Sequence, residues 1–231
     1  MDLNQRMAGV LLHITSLPGP HGMGDFGPDA FRYVDWLACA GQKIWQWLPS
    51  TPIGPGDSPY QGVSAFAGSP WMVAFEPLVA KGWMASPTLP IAGFDSARVD
   101  YARVLPWRQA MLRAAAYGFF SAGSGADQQA FSVWCADQQS WLEDYALFMA
   151  IRSPLNGQPW WEWPAPLAAR EPAALQAARH QYIDEIAFWK FVQWQFDCQA
   201  KTLKDYANRQ CVSIMGDLPI FVAHDSVDCW A

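Results

Sequence analysis

Apolar positions along this chain change their spacing several times, and each change marks an element. Gly9 to Ile14 (GVLLHI) is an unbroken apolar run that opens into TSLPGPHGMGDFG, the pattern of a buried strand followed by a loop. From Pro28 the spacing becomes helical. Phe31, Val34, Leu37 and Ala38 share one face, Pro28 suits the first turn, and Gly41 is placed to close the last. Lys43 to Leu48 (KIWQWL) predicts a second strand stopped by Pro49. Strand, loop, helix and strand in that order form a βαβ unit, expected to pair in parallel through a right-handed crossover.

Between Pro49 and Pro70 the segment is crowded with Gly, Pro and Ser, too long and turn-rich for a simple connector, and long irregular loops are where function tends to sit. Residues 80 to 125 are mixed, and Gly118 to Gly125 reads as a flexible turn. Residues 128 to 152 predict one helix, with Trp141, Tyr145, Phe148 and Met149 along a core-facing side. The patch NGQPWWEWPAPL interrupts at Asn156 to Leu167, and a further helix is expected from Pro172 to near Asn208, where Ile183, Ala187, Phe191, Trp194 and Cys198 recur at helical intervals. Val212 to Met215 predict a third strand, closed by Gly216, Asp217 and Pro219. The expected organisation is therefore 1–79 as two βα units with a loop, 80–180 as a mostly helical insertion, and 181–231 as a helix and third strand.

Composition narrows the class. Hydrophobic residues make up 52% and charged residues 16%, which is a folding sequence and not a disordered one. The net charge of -6 gives no electrostatic reason to bind nucleic acid. Five cysteines, Cys39, Cys135, Cys198, Cys211 and Cys229, are odd in number and form no CxxC pair, so they read as reduced thiols and neither a disulfide framework nor a zinc site is expected. The N-terminus lacks a signal-peptide pattern, and no apolar stretch approaches a membrane span, so a soluble cytoplasmic protein is expected with no membrane partner. The GMGDFG segment is a chance near match to a dinucleotide fingerprint. No cofactor and no metal are expected.

The three strand ends share a chemical character. His13 leaves the first, Pro49 and the GDSPY loop follow the second, and Asp217 ends the third. In a (β/α)8 barrel the active site gathers at the strands' C-terminal ends. The blocks AGVLLHITSLPGPHGMGDFGPDAF, GQKIWQWLPSTPIGPGDSPYQGVSAFAGSP, WLEDYALFMAIR, WWEWP and GDLPIFVAHDSVDCWA, taken in order, resemble the amylomaltases (4-α-glucanotransferases) of the α-amylase superfamily. The resemblance runs nearly end to end, and GDSPYQ, SAFAG and GDLPIFVA are specific in combination.

That resemblance implies an α/β fold, an incomplete (β/α)8 TIM barrel made of its first three strands, with a largely helical insertion between strands 2 and 3. It implies a retaining transglycosylase acting on maltooligosaccharides and other α-1,4-glucans, in which an Asp nucleophile and a Glu acid/base lie about 5 to 5.5 Å apart across the bond. No motif for either carboxylate precedes Ala231, so the catalytic pair is expected beyond it, the chain reads as the front part of a longer enzyme, and this piece alone is expected to be inactive and prone to aggregate.

Family positions carried over are Tyr60 in DSPYQ and Asp217 in GDLPIF, both expected to line the subsite where the glucosyl ring is bound. A tyrosine ring can lie against a pyranose while its hydroxyl hydrogen-bonds, but it can also be a loop residue packed for stability. Asp217 can hold sugar hydroxyls or serve as a turn or cap residue. His13 can project into the site or be a satisfied structural histidine. Asp57, Ser58 and Gln61 can bond sugar hydroxyls, although Asp and Ser in such a loop are ordinarily turn formers. Trp160, Trp161 and Trp163 are read mainly as structural, and Asp225 and Asp228 as the start of a helix rather than as nucleophiles. A non-catalytic α-glucan-binding protein is the competing class, motivated by the 14 tryptophans.

Overall fold

The computed structural model describes residues 6–54, 56–87, 93–95 and 97–231. In chain order its elements are β1 (Gly9–Leu11), α1 (Pro28–Cys39), β2 (Ile44–Gln46), α2 (Glu76–Ala80), α3 (Tyr101–Ala122), α4 (Gly125–Asp137), α5 (Gln139–Arg152), α6 (Ala165–Ala168), α7 (Pro172–Gln181), α8 (Ile183–Arg209), β3 (Ser213–Met215) and α9 (Val227–Trp230). They divide into two compact units. The first is Met1–Ser50, Ser69–Gly123 and Gln195–Leu218; the second is Thr51–Gly68, Ser124–Trp194 and Pro219–Ala231.

In the first unit the three strands pair in parallel in the order β1-β2-β3, with Leu11, Gln46 and Met215 on one rung. The strands are shorter than their apolar runs. Ile14–Ser16 coils into a 3-10 turn, and just past the strands' C-terminal ends the ladder continues through Leu12 N–H to the Gln46 carbonyl and Trp47 N–H to that of Met215. Gly9 is needed for the pairing itself, because a Cβ there would stand 2.5 Å from the Ile44 backbone oxygen. α1 closes as its sequence predicts: Gly41 has φ +72°, Gln42 N–H reaches the Leu37 carbonyl and Gly41 N–H that of Ala38, the paired bonds of a Schellman cap.

One face of this sheet is packed. Val10, Leu12, Trp45, Trp47 and Ile214 join Ala30, Val34 and Leu37 of α1 and Leu203 and Ala207 of α8 in a single core. The alternate positions face away, with Leu11 53% exposed and Met215 38%.

The helices correct the sequence reading in three places. The expected flexible turn at 118–125 is helical through Ala122, because Gly118 lets α3 approach Trp83 so closely that a Cβ would fall 1.8 Å from its carbonyl oxygen. The single helix expected over 128–152 is two, breaking at Gln138 (φ -98°, ψ 5°), and the break brings Trp134 and Trp141 edge to face with ring centres 6.4 Å apart. The long helix before β3 is also two, with Tyr182 (φ -109°, ψ 27°) between α7 and α8. In the second unit Tyr145, Phe148 and Ile151 of α5, Leu175 and Ala178 of α7, Trp163, and Val227 and Trp230 of α9 form the core.

Candidate functional site

The parallel register decides what the first unit can offer. Leu11, Gln46 and Met215 share the last paired rung, and His13 and Asp217 each come two residues after it along their own strands, so an imidazole and a carboxylate follow C-terminal strand ends. Asp217 is half-buried. His13 is half-buried too, and its Nδ1 is enclosed with no hydrogen-bond partner among the described residues. Burial pushes the His13 imidazole down from 6.5 to about 4, so it is a neutral ring at neutral pH, able to give and accept one hydrogen bond. Trp47, one residue past β2, also has a buried Nε1 with no partner among the described residues, a feature that its apolar sequence context concealed.

The His13 shift fixes a pH dependence. A histidine whose folded value lies below its unfolded one binds its proton more tightly when unfolded, so its stabilising effect is full above about 6.5 and is lost as pH falls toward about 4. The thermal midpoint of the wild-type protein is therefore expected to drop faster than that of His13→Gln between pH 7 and pH 5, as read by circular dichroism. Parallel curves would show that His13 titrates normally.

In the second unit Asp57, Ser58, Tyr60 and Gln61 lie on one pinned loop. Ile53 and Gly62 form an antiparallel bridge, Gly54 N–H donates to the Gln61 carbonyl at 3.0 Å, and the Thr51 hydroxyl donates to the Pro59 carbonyl at 3.2 Å. Asp57 has φ +56°, directly after Gly56 at φ +88°, the left-handed pair of a tight turn. Ser58 spends its hydroxyl on the Tyr60 N–H at 3.3 Å and its carbonyl on the Gln61 N–H at 3.2 Å. These bonds aim Tyr60 outward, where it is 41% exposed. The structure thus gathers four of the six residues on this loop and places the other two, His13 and Asp217, at the strand ends of the first unit.

Further polar work supports the surroundings. Arg108 of α3, wholly buried, donates to Asp25 Oδ2 at 2.9 Å and to the Val73 carbonyl at 2.7 Å, and lies over the Phe75 ring; Asp25 Oδ1 accepts the Gly27 N–H. This cluster ties down the loop that follows β1. Beside it, burial lowers the His21 imidazole, opposed by the Glu76 and Asp25 charges. The tryptophan patch divides: Trp163 is core, whereas Trp161 stacks on His224 with ring centres 4.5 Å apart. Asp225 pairs with Arg152 at 2.7 Å, and Asp228 lies in the first turn of α9 and accepts the Ala65 N–H. Among the described residues no cluster of His, Cys, Asp and Glu could hold a metal ion, and no helix is long and apolar enough to cross a membrane.

Comparisons with known proteins point the same way. A family model described as 4-alpha-glucanotransferase matches residues 12–231. The 4-alpha-glucanotransferase of Thermus thermophilus is 44% identical over 98% of this chain and 45% of its own length. A chloroplastic/amyloplastic 4-alpha-glucanotransferase of Solanum tuberosum is 39% identical over 99% of this chain and 40% of its own. The solved structure of amylomaltase from Streptococcus agalactiae in complex with acarbose superposes with a TM-score of 0.91 at 36% identity, covering 98% of this chain and 46% of that one. The chain thus spans less than half the length of the relatives it matches.

Proposed function

The chain belongs to the 4-alpha-glucanotransferase family, and from that premise we propose that it supplies glucan-binding parts of an enzyme that moves α-1,4-linked segments between maltooligosaccharides. In this reading β1, β2 and β3 are the first three strands of a (β/α)8 barrel in a cytoplasmic enzyme, with most of the helical sequence between β2 and β3 an insertion. The observation that supports the reading is that His13 and Asp217 each follow by two residues the last paired rung of parallel strands arranged in chain order, which puts polar groups just past C-terminal strand ends.

Each residue then has a task that fits its chemistry. Tyr60 lays its ring against a pyranose and hydrogen-bonds through its hydroxyl; Asp217 accepts hydrogen bonds from vicinal sugar hydroxyls; His13, neutral and underbonded, offers another. Asp57, Ser58 and Gln61 contribute chiefly by setting the loop that carries Tyr60. Cleavage and transfer with retention need two carboxylates flanking the bond, and the proposal leaves these to sequence outside the 231 residues. No cofactor enters the chemistry.

The test separates binding from chemistry. Maltotriose incubated with this chain alone is expected to stay intact, whereas the intact polypeptide that contains it yields glucose and longer oligosaccharides, followed by chromatography. Disproportionation by the 231-residue chain would overturn the division of labour, and its absence from the intact polypeptide would overturn the function.

A further inference from the structure

We propose that Gln193 is a positioning residue for glucan binding, its side-chain amide holding the base of the loop that presents Tyr60. The inference rests on the task given to Tyr60 above.

Residues 191–195 of α8 (FVQWQ) are all buried. An amide inside such a run is costly to bury unless its polar atoms are paired. Gln193, 2% exposed, is fully paired: Oε1 accepts the Gly68 N–H at 2.8 Å, and Nε2 donates to the Gly68 carbonyl at 2.8 Å and to the Tyr145 hydroxyl at 3.3 Å. Both donors and the acceptor are in use, so the amide has one orientation. Tyr145 is itself enclosed, wholly buried and edge to face with Trp189 at 6.4 Å, and burial pushes its phenol up, so the hydroxyl keeps its proton.

The loop needs such a hold from outside. Its own bonds give it a shape: Gly54 N–H to the Gln61 carbonyl, Val63 N–H to the Pro52 carbonyl and the Thr51 hydroxyl to the Pro59 carbonyl join parts of residues 51–63 to one another. They do not fix where that shape sits. Residues 64–67 connect it to Gly68 and are tightly folded, the Ser64 hydroxyl oxygen accepting both the Phe66 and Ala67 N–H groups at 3.1 Å. A shift at Gly68 therefore passes along a short, bonded link toward the Tyr60 turn. α9 adds ties through the Val227 N–H to the Val63 carbonyl and the Ala65 N–H to Asp228 Oδ2, each at 2.9 Å. Those come from a helix of 4 residues, whereas α8 runs for 27.

Gln199 supplies a matched control. On the same helix and 7% exposed, it makes the same two-bond contact with Ala74, at 2.8 and 3.2 Å, but both partners belong to the first unit and neither is part of the Tyr60 loop.

The test compares Gln193→Met with Gln199→Met in the intact polypeptide. Each keeps side-chain length and loses both bonds, so their thermal midpoints should fall alike. Gln193→Met alone is expected to raise KM for maltotriose about tenfold with kcat within about twofold, because a ring contact with the sugar is weakened in substrate and transition state together. In a Tyr60→Ala background the same change should add less than about twofold, since a residue acting through Tyr60 has nothing left to position. Hydrogen exchange reads the hold in the wild type, independently of how well any variant folds: the Gly68 amide should exchange at least about tenfold slower than the Tyr60 amide, whose bond to the Ser58 hydroxyl is exposed. Equal KM changes in the two glutamine variants, an undiminished effect of Gln193→Met in the Tyr60→Ala background, or fast exchange at Gly68 overturns the proposal. A normal KM in Tyr60→Ala overturns the task of Tyr60 and with it the link from Gln193 to binding, while slow exchange at Gly68 would still support the hold on the loop.

Discussion

Asp217→Ala in the intact polypeptide is expected to lower kcat/KM for maltotriose by about 100- to 1,000-fold while moving the thermal midpoint by no more than about 2 °C. A carboxylate that accepts two sugar hydroxyls makes two charge-assisted bonds, each worth about 1.5 to 3 kcal/mol, and a combined loss of about 3 to 4 kcal/mol gives that factor. Stability should hardly change, because Asp217 follows β3 by two residues and lies outside its unit's apolar core. Asp217→Asn keeps one acceptor and loses the charge, so it should fall between the two. Steady-state glucose release together with a thermal melt checks both halves; turnover within twofold of wild type would remove Asp217 from the site.

Arg108→Met is expected to do the reverse, costing about 3 to 5 kcal/mol of stability. Arg108 is wholly buried, and its Nη2 serves both Asp25 and the Val73 carbonyl. Methionine fills much of the volume but leaves the Asp25 carboxylate beside an apolar side chain, and removing one partner of a buried pair is costly because of the charge left behind. For a chain of this size the loss corresponds to about 10 °C in midpoint. Adding Asp25→Leu should recover more than half of it, since an apolar pair can replace a buried ion pair at little net cost. A drop below about 1 kcal/mol for the single change would show that the cluster is dispensable.

What the sequence disclosed and what it hid follow from the range of the interactions. Local signals worked: Pro28 and Gly41 bracketed α1, and apolar runs located all three strands, because capping and burial leave marks within a few residues. Gly118 misled, since glycine ordinarily weakens a helix and only the approach of Trp83 explains it. The breaks at Gln138 and Tyr182 carry neither Gly nor Pro and are set by packing. Motif blocks named the Tyr60 loop and Asp217, but only the parallel pairing of β1, β2 and β3 put His13 and Asp217 past the same end of one sheet. Arg108 and Asp25, 83 positions apart, had no local mark at all.

Gln193 and Gln199 show how the chain fixes a path without fixing its spelling. Each amide side chain exchanges two bonds with one residue's main chain, Gln193 with Gly68 and Gln199 with Ala74, in the manner of a neighbouring strand, and Gln193 also donates to the Tyr145 hydroxyl at 3.3 Å. Such a grip is indifferent to the letters of the segment it holds. Substitutions in a held segment that keep its backbone path should therefore leave these anchors intact, whereas changes at Gln193 or Gln199 would release the position of the segment itself.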